Sequence, residues 1–140
     1  MGNLSEHFSN QDFACQCPEC KGAYKIHLGL VGALEQIGAH FKKKVRVLSG
    51  YWCDAYEEKL NKPKISLHNK GKAAHIAVEG VTPQELFKYA ETLEELRGVG
   101  FYPKEDFVHV DTRPGDPARY VKEGNEYLPL TAEKRAKYGL

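Results

Sequence analysis

No apolar run in these 140 residues approaches the roughly 18 that a helix needs to cross a bilayer. A helical membrane span is therefore not expected. The opening Met1-Gly2-Asn3-Leu4-Ser5-Glu6-His7 also lacks the basic and apolar parts of an export signal. The chain is expected to be soluble, working in the cell envelope or periplasm if an export signal preceded it and in the cytoplasm otherwise. An excess of charge of one sign is missing as well, since Lys plus Arg (20) nearly equals Asp plus Glu (19). Without a strong overall field, nucleic acid and anionic membrane are not expected partners. Internal repeats and low-complexity segments are absent, and the length suits one domain. The expectation is a single domain over residues 1–140, monomeric.

Cysteine is scarce and unevenly placed, with Cys15, Cys17 and Cys20 clustered and Cys53 far away. Cys17-x-x-Cys20 has a metal-knuckle spacing, but a tetrahedral thiolate site normally draws on a second close pair. One or two disulfides, a structural metal and unpaired thiols all remain open, and none of them is the active site.

What is present is hydrophobic periodicity. Leu30, Val31, Leu34, Ile37 and Phe41 recur at helical spacing within Ile26 to Phe41, and Val45 to Ser49 alternates like a strand. A polar stretch from Trp52 to Lys64 reads as a long loop, with a helical turn around Asp54 to Leu60. Ala73 to Val78 reads as a buried strand. Thr82-Pro83-Gln84-Glu85 then has the N-cap threonine, first-turn proline and reciprocal glutamate that start a helix. Val99 to Tyr102 and Phe107 to Asp111 read as two strands of a hairpin turning at Pro103-Lys104-Glu105. Beyond them, Arg113 to Tyr120 is expected to be largely irregular, and Ala132 to Tyr138 a frayed helix. The sum is an α+β domain, a mainly antiparallel sheet with helices packed on one face.

Of six histidines, His75 and His109 stand inside apolar strands, between Ala74 and Ile76 and between Val108 and Val110. Either one alone reads as a core histidine satisfied by one hydrogen bond. His68 lies seven residues before His75, and Gly71 lets the backbone turn between them. That spacing allows both rings to face one point.

The segment Ser66-x-His68-x-x-Gly71-x-Ala73-x-His75 resembles the Ser-x-His-x-x-Gly-x-Ala-x-Asp signature of the M15 zinc peptidases, the D-alanyl-D-alanine carboxypeptidases and murein endopeptidases. Gly98 to Pro103, followed by Phe107-Val108-His109-Val110-Asp111-Thr112, is similar to the third-ligand segment of one endopeptidase branch, formerly known only as a domain of unknown function. Leu4 to Ser9 and Ser49-Gly50-Tyr51 match that branch too, so the resemblance runs over about residues 4 to 120. It implies a hedgehog/DD-peptidase-like fold and one zinc held by His68, His75 and His109 with water in the fourth position. The implied activity is hydrolysis of a peptide bond in peptidoglycan stem peptides or cross-links, as a carboxypeptidase or an endopeptidase. A carboxylate takes the proton of the attacking water. Asp106 stands three residues before His109, where acidic-x-x-His relatives carry their base, and Asp111 shares the strand face of His109. Each also has a plainer role, Asp106 as a turn residue and Asp111 as the group that orients His109.

Two positions depart from the family pattern. His75 stands in the place of an aspartate ligand, which makes the site one charge unit more positive. Trp52 replaces the arginine that usually follows Ser-Gly-Tyr and stabilises a substrate carbonyl or carboxylate, a role for which Lys62, Lys64 and Arg113 are the available cations. These departures feed an alternative: a catalytically impaired zinc module that recognises cell-wall peptide or a protein partner.

Overall fold

The computed structural model describes residues 7–15, 27–51, 71–124 and 126–140. Among them, four helices accompany six strands: α1 (Asn10–Phe13), α2 (Leu28–Phe41), β1 (Val45–Ser49), β2 (Ala73–Val78), α3 (Pro83–Ala90), β3 (Gly98–Phe101), β4 (Val108–Asp111), β5 (Ala118–Glu123), β6 (Glu126–Pro129) and α4 (Ala132–Tyr138). The loop read from Trp52 to Lys64, His68, and the cysteines Cys17, Cys20 and Cys53 lie outside the described residues. Cys15 is buried.

The strands form one sheet in the order β1-β2-β4-β3-β5-β6. A mainly antiparallel sheet was expected, and the sheet is mixed: β3 and β5 run parallel, while the other neighbours are antiparallel. The connection after β4 is the cause. Residues 112–117 carry the chain past the start of β3, where the Ala118 amide donates to the Arg97 carbonyl at 2.6 Å, so β5 sets off beside Gly98 in the direction of β3. The expectation of an irregular run from Arg113 to Tyr120 is met only as far as Pro117. β5 and β6 form an antiparallel pair that extends the sheet.

Alternation along the strands sorts the side chains onto two faces. Ala74, Ile76, Val78, Val99, Phe101, Val108, Val110 and Val121 share one face and join Leu30, Leu34, Ile37, Leu86 and Phe87 in the core. Burying each large apolar side chain contributes about 1.5–3 kcal/mol, which fixes the register of the central strands. The other face receives the intervening residues. His75, His109, Gly100 and Tyr120 stand there side by side in register, with Asp111 and Gly98 in the next row.

α3 begins as the sequence implies. Pro83 takes the first helical position, and the Thr82 hydroxyl accepts the Glu85 amide at 3.1 Å. α2 ends in a left-handed Lys42, whose amide closes on the Gly38 carbonyl.

Candidate functional site

His75 and His109 come from neighbouring antiparallel strands and are direct register partners, with ring centres 5.4 Å apart. Nothing in either strand's own sequence places them together; the hydrophobic alternation does, because Ile76, Val108 and Val110 must face the core. His75 stacks on Phe107 at 4.5 Å between ring centres and leans on Tyr102 at 5.4 Å.

His109 is held from the side. Its Nε2 lies 2.7 Å from Oδ2 of Asp111, whose side chain is 0% exposed. Arg113 clamps the same carboxylate through Nε at 2.9 Å and Nη2 at 2.7 Å, and its backbone amide adds a bond of 3.1 Å. Burial pushes the Asp111 carboxyl up, but the bonds from Arg113 and His109 outweigh it and hold the group well below the usual carboxylate range. An ionised carboxylate only accepts, so Nε2–H of His109 is the donor, and in the neutral ring the lone pair resides on Nδ1. Asp111 thereby fixes the tautomer as well as the tilt of the ring.

Two glycines of β3 make this arrangement possible. A Cβ on Gly98 would come within 2.2 Å of both Asp111 carboxylate oxygens, and one on Gly100 within 2.2 Å of the Tyr120 ring. The carboxylate and the phenol therefore lie flat over β3. Tyr120 stands 5.7 Å from His109 between ring centres, and its hydroxyl is 3.2 Å from that of Tyr102. Burial pushes both phenols above the ordinary tyrosine range, so they serve as neutral hydrogen-bonding groups.

Asp106 is exposed in the turn before β4 and lines a hollow with Arg46, Glu79, Val81 and Pro83. Arg113, one of the cations available to replace the arginine absent at Trp52, is committed to Asp111; Lys62 and Lys64 lie outside the described residues. The other three histidines have contacts elsewhere: His7 bonds Glu35 at 2.6 Å, His27 bonds Thr112 at 2.9 Å, and His40 stacks on Tyr89. Among the described residues no group of three His, Cys, Asp or Glu side chains is disposed to hold a metal. Of the expected ligand set, His75 and His109 are among the described residues and face each other, while His68 lies outside them.

The sequence profile described as peptidase M15 matches residues 6–111. This chain belongs to the peptidase M15 family. The M15 match ends at Asp111, so β5 and β6 lie beyond it. The M15 chain is also similar to the peptidoglycan L,D-endopeptidase MepK of Escherichia coli K12, 35% identical over 78 residues that cover 52% of this chain and 42% of the relative. A probable peptidoglycan L,D-endopeptidase MepK of Haemophilus influenzae is 47% identical over 53 residues, 36% of this chain and 27% of the relative. The matched segments thus span less than half the length of these curated relatives.

Tyr102, Tyr120 and the clamp from Arg113 were not picked out as parts of this site by their sequence context. The spacing Gly98-x-Gly100 was the available signal, since alternate glycines in a strand mark one face left open for something to approach.

Proposed function

We propose that this chain is a zinc peptidase that hydrolyses a peptide bond within peptidoglycan peptides, acting as an endopeptidase. The observation that carries the reading is the facing pair His75 and His109 on the side of the sheet opposite the hydrophobic core, with His109 fixed by Asp111 and Arg113, in a member of the M15 family. The donor set fits the metal: imidazoles are good zinc ligands, and a histidine ligand characteristically gives its other ring N–H to a carboxylate, as His109 gives Nε2–H to Asp111. His68, His75 and His109 would hold the ion. Bound there, zinc would polarise the scissile carbonyl and lower the pKa of a water toward about 7. The names of the two relatives favour an L,D peptide bond of peptidoglycan as the target.

The chain's own residues then divide the work. Asp111 keeps the His109 lone pair aimed at the site, and Arg113 keeps Asp111 ionised. Tyr102 and Tyr120, neutral and hydrogen-bonded to each other, offer hydroxyls beside the two rings for a substrate amide. Of the two carboxylates considered as proton acceptors, Asp111 is buried, held well below the usual carboxylate range and taken up by Arg113 and His109, so it orients the His109 ring rather than accepting a proton. The alternation of β4 puts it on the His109 face, whereas Asp106 is directed toward the hollow shared with Arg46 and Pro83.

Incubating the zinc-loaded protein with defined muropeptides and weighing the products by mass spectrometry tests the reading. Cleavage at one internal bond is expected. Intact muropeptides combined with tight peptide binding would favour the recognition module instead, which the replacements at His75 and Trp52 would then explain.

A further inference from the structure

The sheet face that bears the two histidines carries a cation that the proposed hydrolysis leaves unused. Lys122 stands on β5 two residues after Tyr120 and therefore on the same face as His109. Its ammonium lies 5.7 Å from the centre of the Tyr102 ring and 5.6 Å from that of Tyr127. Tyr102 in turn leans on His75, so Lys122 is one ring removed from the histidine pair.

Its neighbours in sequence are engaged and Lys122 is not. Arg113 pairs with Asp111, Arg119 and Arg135 with Glu91, and Lys134 and Lys137 with Glu123. Among the described residues Lys122 has ring faces for company and no carboxylate. Two aromatic faces fix an ammonium and strip part of its water, but they neutralise little of its charge. Such a group favours a small anion presented from the open side. Tyr127 is 48% exposed, so that side is accessible.

We propose that Lys122, framed by Tyr102 and Tyr127, anchors a substrate carboxylate for the adjacent histidine site. A carboxylate of a peptide lying across His75 and His109 would pair with the ammonium, and this contact would select the peptide without entering the bond-breaking step. The inference rests on the peptidase reading and deepens it. Lys122 and Tyr127 belong to the β5–β6 pair beyond the segment matched to the family, and Tyr102 lies within it.

The test compares a defined peptidoglycan peptide dimer bearing free carboxylates with the same dimer amidated. Wild type, Lys122→Gln and Lys122→Arg, each zinc-loaded, are assayed by steady-state cleavage and by calorimetric binding. For the wild type, amidation should raise KM about tenfold while kcat stays within about twofold, the pattern of lost ground-state and transition-state binding alike. Lys122→Gln should raise KM by a similar factor on the free dimer and leave the amidated one unchanged, and Lys122→Arg should preserve the preference. Equal KM for the two dimers in the wild type, or an equal loss on both in Lys122→Gln, overturns the anchor while leaving the peptidase reading intact. If neither dimer is cleaved, the peptidase reading fails and calorimetry decides the anchor: a free-over-amidated preference that disappears in Lys122→Gln supports it, and no preference overturns it.

Discussion

At the scale of single residues, Asp111 concentrates more of the design than either histidine. It is enclosed, ionised and triply bonded by Arg113, and its only tie toward the site is Nε2–H of His109. Asp111→Asn keeps the shape but removes the charge, so the ring loses its enforced tautomer. Zinc affinity is expected to fall about 10- to 100-fold, measured by competition with a coloured chelator. An affinity equal to wild type would mean that Asp111 serves the fold alone. Gly100 tests the other side of the same arrangement. In Gly100→Ala the new Cβ would press into the Tyr120 ring, which cannot retreat without giving up its hydroxyl contact with Tyr102. A loss of about 1–3 kcal/mol in urea unfolding is expected, the usual cost of overpacking.

At the scale of elements, what was legible in the sequence depended on how local its cause is. The start of α3 was readable because Thr82, Pro83 and Glu85 act on each other within one turn. Thr82→Ala should accordingly cost about 1 kcal/mol, seen as a lower urea midpoint with an unchanged slope. β1, β2 and the β3–β4 hairpin were readable through alternation. The end of the chain was not, because Ala118-Arg119-Tyr120-Val121-Lys122-Glu123 carries one fully buried apolar residue and gains its strand character from the distant β3. Gly124, left-handed between the paired strands β5 and β6, was the overlooked turn signal. Of the site, His75 and His109 were legible as histidines inside apolar strands, whereas Tyr120 and Lys122 depend on the parallel pairing and could not be placed.

The same terminal elements carry a pH-sensitive tie. Glu123 at the end of β5 binds Lys134 and Tyr138 of α4, and those two hydrogen bonds, ahead of the attraction of the lysines, draw its carboxyl from 4.5 down to about 2. A depressed carboxylate stabilises the docked helix fully above its unfolded value. That contribution fades as pH falls from about 4.5 toward about 2. Amide protection in residues 132–138, taken relative to the intrinsic exchange rate at each pH, should therefore fall over that interval, and in Glu123→Gln it should be low at neutral pH as well.

For the molecule as a whole, the proposed zinc would join parts of the chain that are far apart in sequence. His75 and His109 sit on adjacent central strands, and His68 precedes β2 by a few residues, so an ion shared by all three would tie the centre of the sheet to the segment leading into it. Such an ion binds the folded chain and not the unfolded one, and free zinc at about a thousandfold over its dissociation constant would add about 4 kcal/mol to stability. For a chain of this length that corresponds to a rise in Tm of about 14 °C. The expected pattern has three parts: wild type melts lower after chelation, His109→Ala melts at one temperature with or without zinc, and His7→Ala responds like wild type because its ring is engaged with Glu35 on the outside of α2. A zinc-dependent shift that survives in His109→Ala would place the ion elsewhere in the chain, and no shift in wild type would remove zinc from the proposal altogether.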